Sequence, residues 1–287
     1  MGYERRRGIV LLVLTSALWS MAGVLMKYMS WNGPQVAGIR SLIAALTILA
    51  YIKKPNIHFT KWRVMAILSY SLTVMFFSIA NKNTTAANAI LLQYTGPIYS
   101  AILGWVFLRE KIHRWDVISI IAILAGVALL VKEGLSTGNW LGDAAALFSG
   151  VTFGALSVFM RMEKDNDPAQ SVFWGNILCF LLMLPFMGRV EISAPNIICA
   201  LVLGVFQLGL SYILFTKAVA YVSALEIVIF SIGEPILNPV WVMLFQGEIP
   251  GPWTVAGGAT IIAAVVGREI WRNRHETRKA QAEIQAV

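Results

Sequence analysis

Charge is what this chain lacks. Asp, Glu, Lys and Arg make up 13% of its 287 residues, against about a quarter in water-soluble domains. Acids are scarcer than bases, 15 against 23, and the mean hydropathy is +0.69. These values argue against a water-soluble globule. Cysteine is nearly absent: Cys179 and Cys199 both fall in apolar runs, so no disulfide framework is indicated. The three histidines, His58, His113 and His275, lie in connecting segments or the tail, and no paired-acid motif interrupts an apolar run. Embedded enzyme chemistry and metal binding are thus left without their groups, and no catalytic residue, metal or cofactor is expected. No GxxxxGK[ST] phosphate loop occurs, which argues against an ATP-driven pump. A carrier is the leading class, with a membrane-embedded enzyme as the second and a channel or receptor as the third.

What is abundant is long apolar sequence. Ten runs read as membrane-spanning helices: Gly8–Lys27, Pro34–Ile52, Trp62–Ala80, Thr84–Leu108, Trp115–Val131, Trp140–Met160, Pro168–Met187, Ile197–Tyr221, Ser223–Gln246 and Trp253–Trp271. Lipid offers backbone groups no partners, so such spans must be helical. The start, with Arg5, Arg6 and Arg7 before an apolar run, has the outline of a signal peptide. Its apolar part is too long for one, and it reads as an uncleaved first helix.

The basic residues report topology rather than nucleic acid. With the N-terminus inside, 17 of the 23 fall on inner segments and four, Lys27, Lys82, Lys132 and Arg189, outside. Both termini are therefore expected in the cytoplasm. The basic tail, 272–287, reads either as an extension of the last helix along the membrane surface or as a frayed, solvated end.

The run 84–115 aligns without gaps on 222–253, pairing Thr85 with Ser223, Pro97 with Pro235, Glu110 with Glu248 and Trp115 with Trp253. Upstream, Trp19 and Lys27 pair with Phe153 and Arg161. Each half, 1–133 and 134–271, holds five spans. An odd number makes the second half enter the membrane the opposite way, giving an inverted repeat. The expected fold is an all-α membrane protein of ten helices in two inverted five-helix repeats.

Several stretches carry a family resemblance: "SALWSMAGVLMK", "GPIYSAILGWVFLREKI", "GDAAALFSGVTFGALSVFMR" and "SALEIVIFSIGEPILNPVWVMLFQGE". In order and spacing the chain resembles EamA-type members of the drug/metabolite transporter superfamily over nearly its whole length. The resemblance implies a central cavity and alternating access without ATP. It also implies export or uptake of small metabolites, amino-acid exporters being among the better-known members. One departure stands out: Gly96 faces Glu234 in the repeat alignment, and Arg40 faces Trp174.

A charge inside a span costs at least about 2.5–3.5 kcal/mol, so it needs a partner, water or a ligand. Arg40 and Glu234 lie near mid-depth and could meet. They read either as a substrate clamp, Arg40 for a carboxylate and Glu234 for an ammonium or a coupling proton, or as a buried ion pair fixing helix register. Lys217 and Glu226 flank a tight turn roughly 12–13 Å from the span centres, at about 1.5 Å per residue, and read as pairing or anchoring groups.

Helical spacing puts Thr84, Asn88, Thr95 and Tyr99 on one face, and Ser231, Glu234, Asn238 and Trp241 on another. Tyr70, Thr73 and Phe77 align in the third span, and Gln207 with Ser211 in the eighth. Ser16, Ser20 and Gly23 form a small-residue packing stripe. Trp19, Trp174 and Tyr99 are candidate cavity aromatics. The candidate substrate-binding set is Trp19, Arg40, Tyr70, Asn88, Thr95, Tyr99, Trp174, Gln207, Ser211, Glu234 and Asn238. Pro97, Pro235 and Pro239 are candidate gating positions, because each removes a helix bond and frees a carbonyl. The expected partners are a small-molecule substrate, a coupling proton and membrane lipid, in a monomer or weak homodimer. The expected location is a cell membrane, with the bacterial inner membrane as the natural setting.

Overall fold

The computed structural model describes residues 3–137, 140–231, 233–247 and 249–285, and among these the regular elements are all helices. The first half holds α1 (Tyr3–Trp19), α2 (Ala22–Tyr28), α3 (Gly33–Ile52), α4 (Lys61–Asn83), α5 (Ala86–Gln93), α6 (Gly96–Leu108) and α7 (Arg114–Thr137). The second holds α8 (Trp140–Met162), α9 (Pro168–Met183), α10 (Ala194–Val202), a π-helical stretch Leu203–Leu210, α11 (Ser211–Ala218), α12 (Ala224–Phe230), α13 (Gly233–Gln246) and α14 (Pro252–Gln285). Eight stretches are long and apolar enough to cross a membrane: Tyr3–Tyr28, Gly33–Ile52, Lys61–Asn83, Ala86–Leu108, Trp140–Met162, Pro168–Phe186, Ala194–Ala218 and Glu226–Gln246. Helices α7 and α14 stand where the sequence pattern predicts the fifth and tenth spans, and α14 runs on into the basic tail.

Local chemistry sets the helix ends. Asn32 and Gln35 form a reciprocal capping box at the start of α3, with Pro34 in its first turn. Thr60 caps α4 by accepting from the Arg63 amide at 3.0 Å, and Thr85 caps α5 from the Asn88 amide at 3.1 Å. The bundle is inverted relative to a soluble protein. Leu244 and Phe245 are 64% and 69% exposed and Ile121 is 62% exposed, whereas Arg40, Ser78, Asn81, Asn176 and Asn238 are buried. An apolar exterior around a polar interior is the arrangement that lipid favours.

The two halves pack by exchange. Helix α3 lies on α9 and α7 on α14, each meeting its repeat counterpart, while the fourth and ninth spans cross so that α6 lies on α12 and α5 on α13. Helix α4 instead packs on α8, and α11 on α1, which are again counterparts of one another as pairs. Gly126 makes the α7–α14 approach possible, since a Cβ there would fall 2.7 Å from the Gly257 carbonyl oxygen.

Candidate functional site

A small cavity of about 30 Å³ lies where the halves meet. Trp19 of α1, Arg40 of α3, Thr73, Val74 and Phe77 of α4, and Gln93 at the end of α5 line it from the first half. Phe153 of α8, Gln207 and Leu208 of the π stretch, Tyr212 of α11 and Glu234 of α13 line it from the second.

Arg40 is 1% exposed and held by neutral groups. Its Nη1 donates to Gln207 Oε1 at 2.9 Å, and its Nη2 to Ser78 Oγ at 2.8 Å and the Val74 carbonyl at 3.3 Å. The Nε–H has no partner. Glu234 is 5% exposed, and among the described residues its carboxylate makes neither a hydrogen bond nor an ion pair. The two charges thus share one cavity without forming a salt bridge. Each keeps unused hydrogen-bonding capacity in a place where unpaired charge is costly.

The aromatic wall is built around Trp19. Its Nε1 donates to Ser211 Oγ at 2.8 Å, and Ser211 in turn donates to the Gln207 carbonyl. The Trp19 ring lies 5.0 Å from Tyr212 and 5.7 Å from Phe153, centroid to centroid. Tyr70 stands behind Tyr212 at 4.7 Å and accepts from Asn176 Nδ2 at 2.8 Å. Residues 203–210 are π-helical, a wider winding that is common at functional sites, and they carry Gln207 into the cavity.

Two spans break at this depth. The fourth breaks at Tyr94–Thr95 and the ninth between α12 and α13, and the breaks touch, with the Tyr94 hydroxyl donating to the Ser231 carbonyl. This alters the expected part of the prolines. Pro97 sits in the first turn of α6 and Pro235 in the first turn of α13, positions that suit proline after a break. The Ser231 carbonyl is occupied, accepting also from the Glu234 amide at 3.1 Å, because the restarted helix and Tyr94 fill the vacancy. The side chain of Pro239 lies outside the described residues.

Of the remaining candidates, Asn88 lies away from the cavity, its Oδ1 accepting from Thr254 at 2.9 Å and its Nδ2 lying 3.5 Å from Asp143 Oδ1. Thr95 donates to the Leu92 carbonyl at 3.0 Å, and Tyr99 packs by its Cβ on Gly154. Trp174 is engaged by a loop, donating to the Asn56 carbonyl at 2.9 Å with Phe59 against its ring at 5.5 Å. Asn238 is wholly buried against Gly23 and neither atom of its amide has a partner. Lys217 and Glu226 do not pair with each other: Glu226 binds Arg5 at 2.6 Å, and Lys217 lies over the Tyr51 ring at 5.1 Å. Gln93, Tyr212 and Ser78 are contributors that sequence spacing did not single out. A polar residue inside an apolar run was the available signal for Gln93 and Ser78.

Both ends of the bundle are tied across the cavity's approaches. Lys27 donates to the Thr84 carbonyl at 2.8 Å, and its repeat counterpart Arg161 donates to the Val219 and Ala220 carbonyls at 2.6 and 2.8 Å. Cations thus meet the carbonyl-rich end of the third span in each half.

A family model described as "EamA-like transporter family" matches residues 6–132 and again 140–267. The chain belongs to this family. The model thus matches the chain twice, once in each half. Human solute carrier family 35 member G1 is 23% identical over 92% of this chain and 79% of that protein. The pseudopaline exporter CntI of Pseudomonas aeruginosa is 24% identical over 91% of this chain and 95% of the exporter. A protein of known crystal structure superposes with a TM-score of 0.70 at 16% identity, over 94% of this chain and 98% of the other. At that identity the superposition speaks to the fold alone. This EamA-like chain is therefore a multi-pass membrane transporter, and its cavity lies between the family's two repeats.

Proposed function

We propose that this protein is a secondary-active carrier that moves a small zwitterion, of the amino-acid type, across the cell membrane by alternating access. The reading takes ten spans in two inverted repeats, 1–133 and 134–271, with both termini and the 272–287 tail in the cytoplasm. Arg40, supported by Gln207, receives the carboxylate. Glu234 receives the ammonium or a coupling proton, and Trp19, Phe153 and Tyr212 enclose the remainder. The observation that carries this is that Arg40 and Glu234 line one cavity and, among the described residues, form no ion pair: a register-fixing pair would have closed. A relative named as an exporter makes efflux the expected direction.

The deciding experiment is counterflow in liposomes with a panel of amino acids, on wild type and Arg40→Ala. Saturable exchange that Arg40→Ala loses supports the clamp, and normal transport by Arg40→Ala rejects it. One observation favours a second reading, a cationic or aromatic metabolite held by Glu234 and the rings. Gln207, Ser78 and the Val74 carbonyl already occupy much of the Arg40 guanidinium, as a purely structural arginine would require. The same panel separates the two, because cationic substrates would survive Arg40→Ala.

A further inference from the structure

The least explained polar group in the molecule is Asn238. It is 0% exposed, and both its amide nitrogen and oxygen lack partners among the described residues. A buried unpaired amide costs about 1–3 kcal/mol per unsatisfied group, so a fold that retains one requires a reason. One turn before it on the same face of α13 stands Glu234, a carboxylate also without a partner among the described residues.

The surroundings are rich in oxygen and poor in side-chain bulk. Helices α1 and α2 break at Ser20–Met21, directly against the place where α12 gives way to α13. Gly23 and Gly233 bring the backbones together. A Cβ on Gly23 would fall 2.0 Å from Asn238 Oδ1, and one on Gly233 would fall 2.5 Å from Ser16 Oγ. The Ser16 and Ser20 hydroxyls donate their protons within their own helix, to the carbonyls of Val13 and Ala17 at 2.9 and 2.7 Å. Their lone pairs are left to face outward, and that of Ser20 accepts from Trp241 Nε1 at 3.2 Å. The first-half counterpart differs. Ser100, which aligns with Asn238, is hydrogen-bonded to Ser157 at 2.9 Å, and Gly96 replaces the acid.

We propose that the seam between α1–α2 and α12–α13 is a binding site for an alkali cation of the sodium class, with Glu234 and Asn238 Oδ1 as its side-chain ligands. A hard monovalent cation takes oxygen ligands, and interrupted helices at mid-membrane supply them from carboxylate, carboxamide, hydroxyl and unwound carbonyl groups. A proton would satisfy Glu234 alone and leave the Asn238 oxygen orphaned, so the carboxamide is what points to a metal cation. The amide nitrogen is then free to donate to a ligand water or to the Glu234 carboxylate. Arg40 is the opposing charge in the cavity, and its guanidinium is drawn toward Gln207 and Ser78 on the α4 and π-stretch side. The site deepens the carrier reading by assigning Glu234 a metal co-ion, and its binding does not depend on the substrate's identity.

The test is thermal unfolding of the purified full chain in detergent at fixed pH and ionic strength, with sodium chloride replaced stepwise by choline or potassium chloride. The expected result is a melting temperature that rises saturably with sodium and not with choline. Asn238→Leu should weaken the apparent sodium affinity about tenfold or more, the loss of one ligand. Asn238→Asp, which keeps an oxygen in place, should retain the response and guards against a folding defect in the leucine variant. Identical wild-type melting in sodium and choline overturns the site, as does an unaltered sodium response in Asn238→Leu. Liposome flux separates this from the carrier reading. Full transport without sodium defeats the cation site and leaves the carrier standing. A sodium-dependent melting shift with no flux of any tested solute does the reverse.

Discussion

Two helix crossings related by the internal repeat have the same plan and opposite chemistry. Where α5 and α6 cross α8, every polar group named is satisfied. Gln93 donates to Ser149 at 2.6 Å, and Ser100 and Ser157 bond at 2.9 Å. Where α12 and α13 cross α1 and α2, the equivalent depth holds the Glu234 carboxylate and the Asn238 carboxamide, neither of which has a partner among the described residues. Both crossings use glycines for close approach. In the first, however, Gly154 faces a carbonyl of the chain itself, and in the second Gly23 faces the Asn238 side chain. One crossing has been finished as structure and the other kept open for a ligand, and that inequality lets a duplicated scaffold bind something asymmetric.

The comparison is broken most strongly at its charges. Replacing Arg40 by alanine removes the guanidinium that lines the cavity and should lower apparent substrate affinity roughly tenfold to a hundredfold, the range of a charge-assisted hydrogen bond of about 1.5–3 kcal/mol. Arg40→Lys should not restore it, since an ammonium cannot reproduce the planar fork that reaches Gln207 and Ser78 together. Counterflow titration checks both. Glu234→Gln comes next. It keeps the shape of the open crossing and removes its anionic ligand, so flux should stop responding to an imposed sodium gradient while solute binding at Arg40 persists. A variant whose flux still follows the gradient would show that other groups carry the cation.

These residues also show where sequence reading succeeds and where it stops. The repeat was legible because it rests on alignment of the two halves, and the depth of Arg40 and Glu234 in their spans indicated that they could meet, as their shared place in one cavity allows. The stripe Thr84, Asn88, Thr95 and Tyr99 lies along α8, against Asp143, Gly150 and Gly154, rather than opening into the cavity. Asn88 accordingly turns to Thr254 and Tyr99 to Gly154, while Gln93 reaches the cavity. In the eighth span the π stretch widens the winding just before Ser211, so a 3.6-residue period misplaces Tyr212. Repeat position alone put Trp174 opposite Arg40, but the loop at Asn56 and Phe59 folds over its ring. Tertiary choices of this kind leave no periodic trace.

The glycines test the structural side of the comparison with a smaller effect. In Gly154→Ala the new Cβ would fall 2.6 Å from the Gly96 carbonyl oxygen, and backbone cannot swing aside. A loss of about 1–3 kcal/mol is expected, seen as a lower melting temperature. In Gly23→Ala the clash is with the Asn238 amide, which can rotate away. Stability should fall less there, and the sodium response should weaken because a ligand has been displaced. Equal destabilisation by the two substitutions would mean that the crossings are packed alike.

The smallest effect concerns Asn238 itself in the absence of sodium. Leucine has nearly the shape of asparagine and no hydrogen-bonding capacity, so Asn238→Leu removes two unsatisfied polar atoms from a site that is 0% exposed. Relieving that penalty should raise stability by about 1 kcal/mol in choline buffer, or at the least not lower it. In saturating sodium the order should reverse, with wild type the more stable, because only wild type gains the binding energy of the cation. A crossover between the two melting curves as sodium is added is the signature of a group retained for a ligand. Parallel curves, with the leucine variant less stable at every concentration, would instead mark Asn238 as a packing residue whose partners form within the protein.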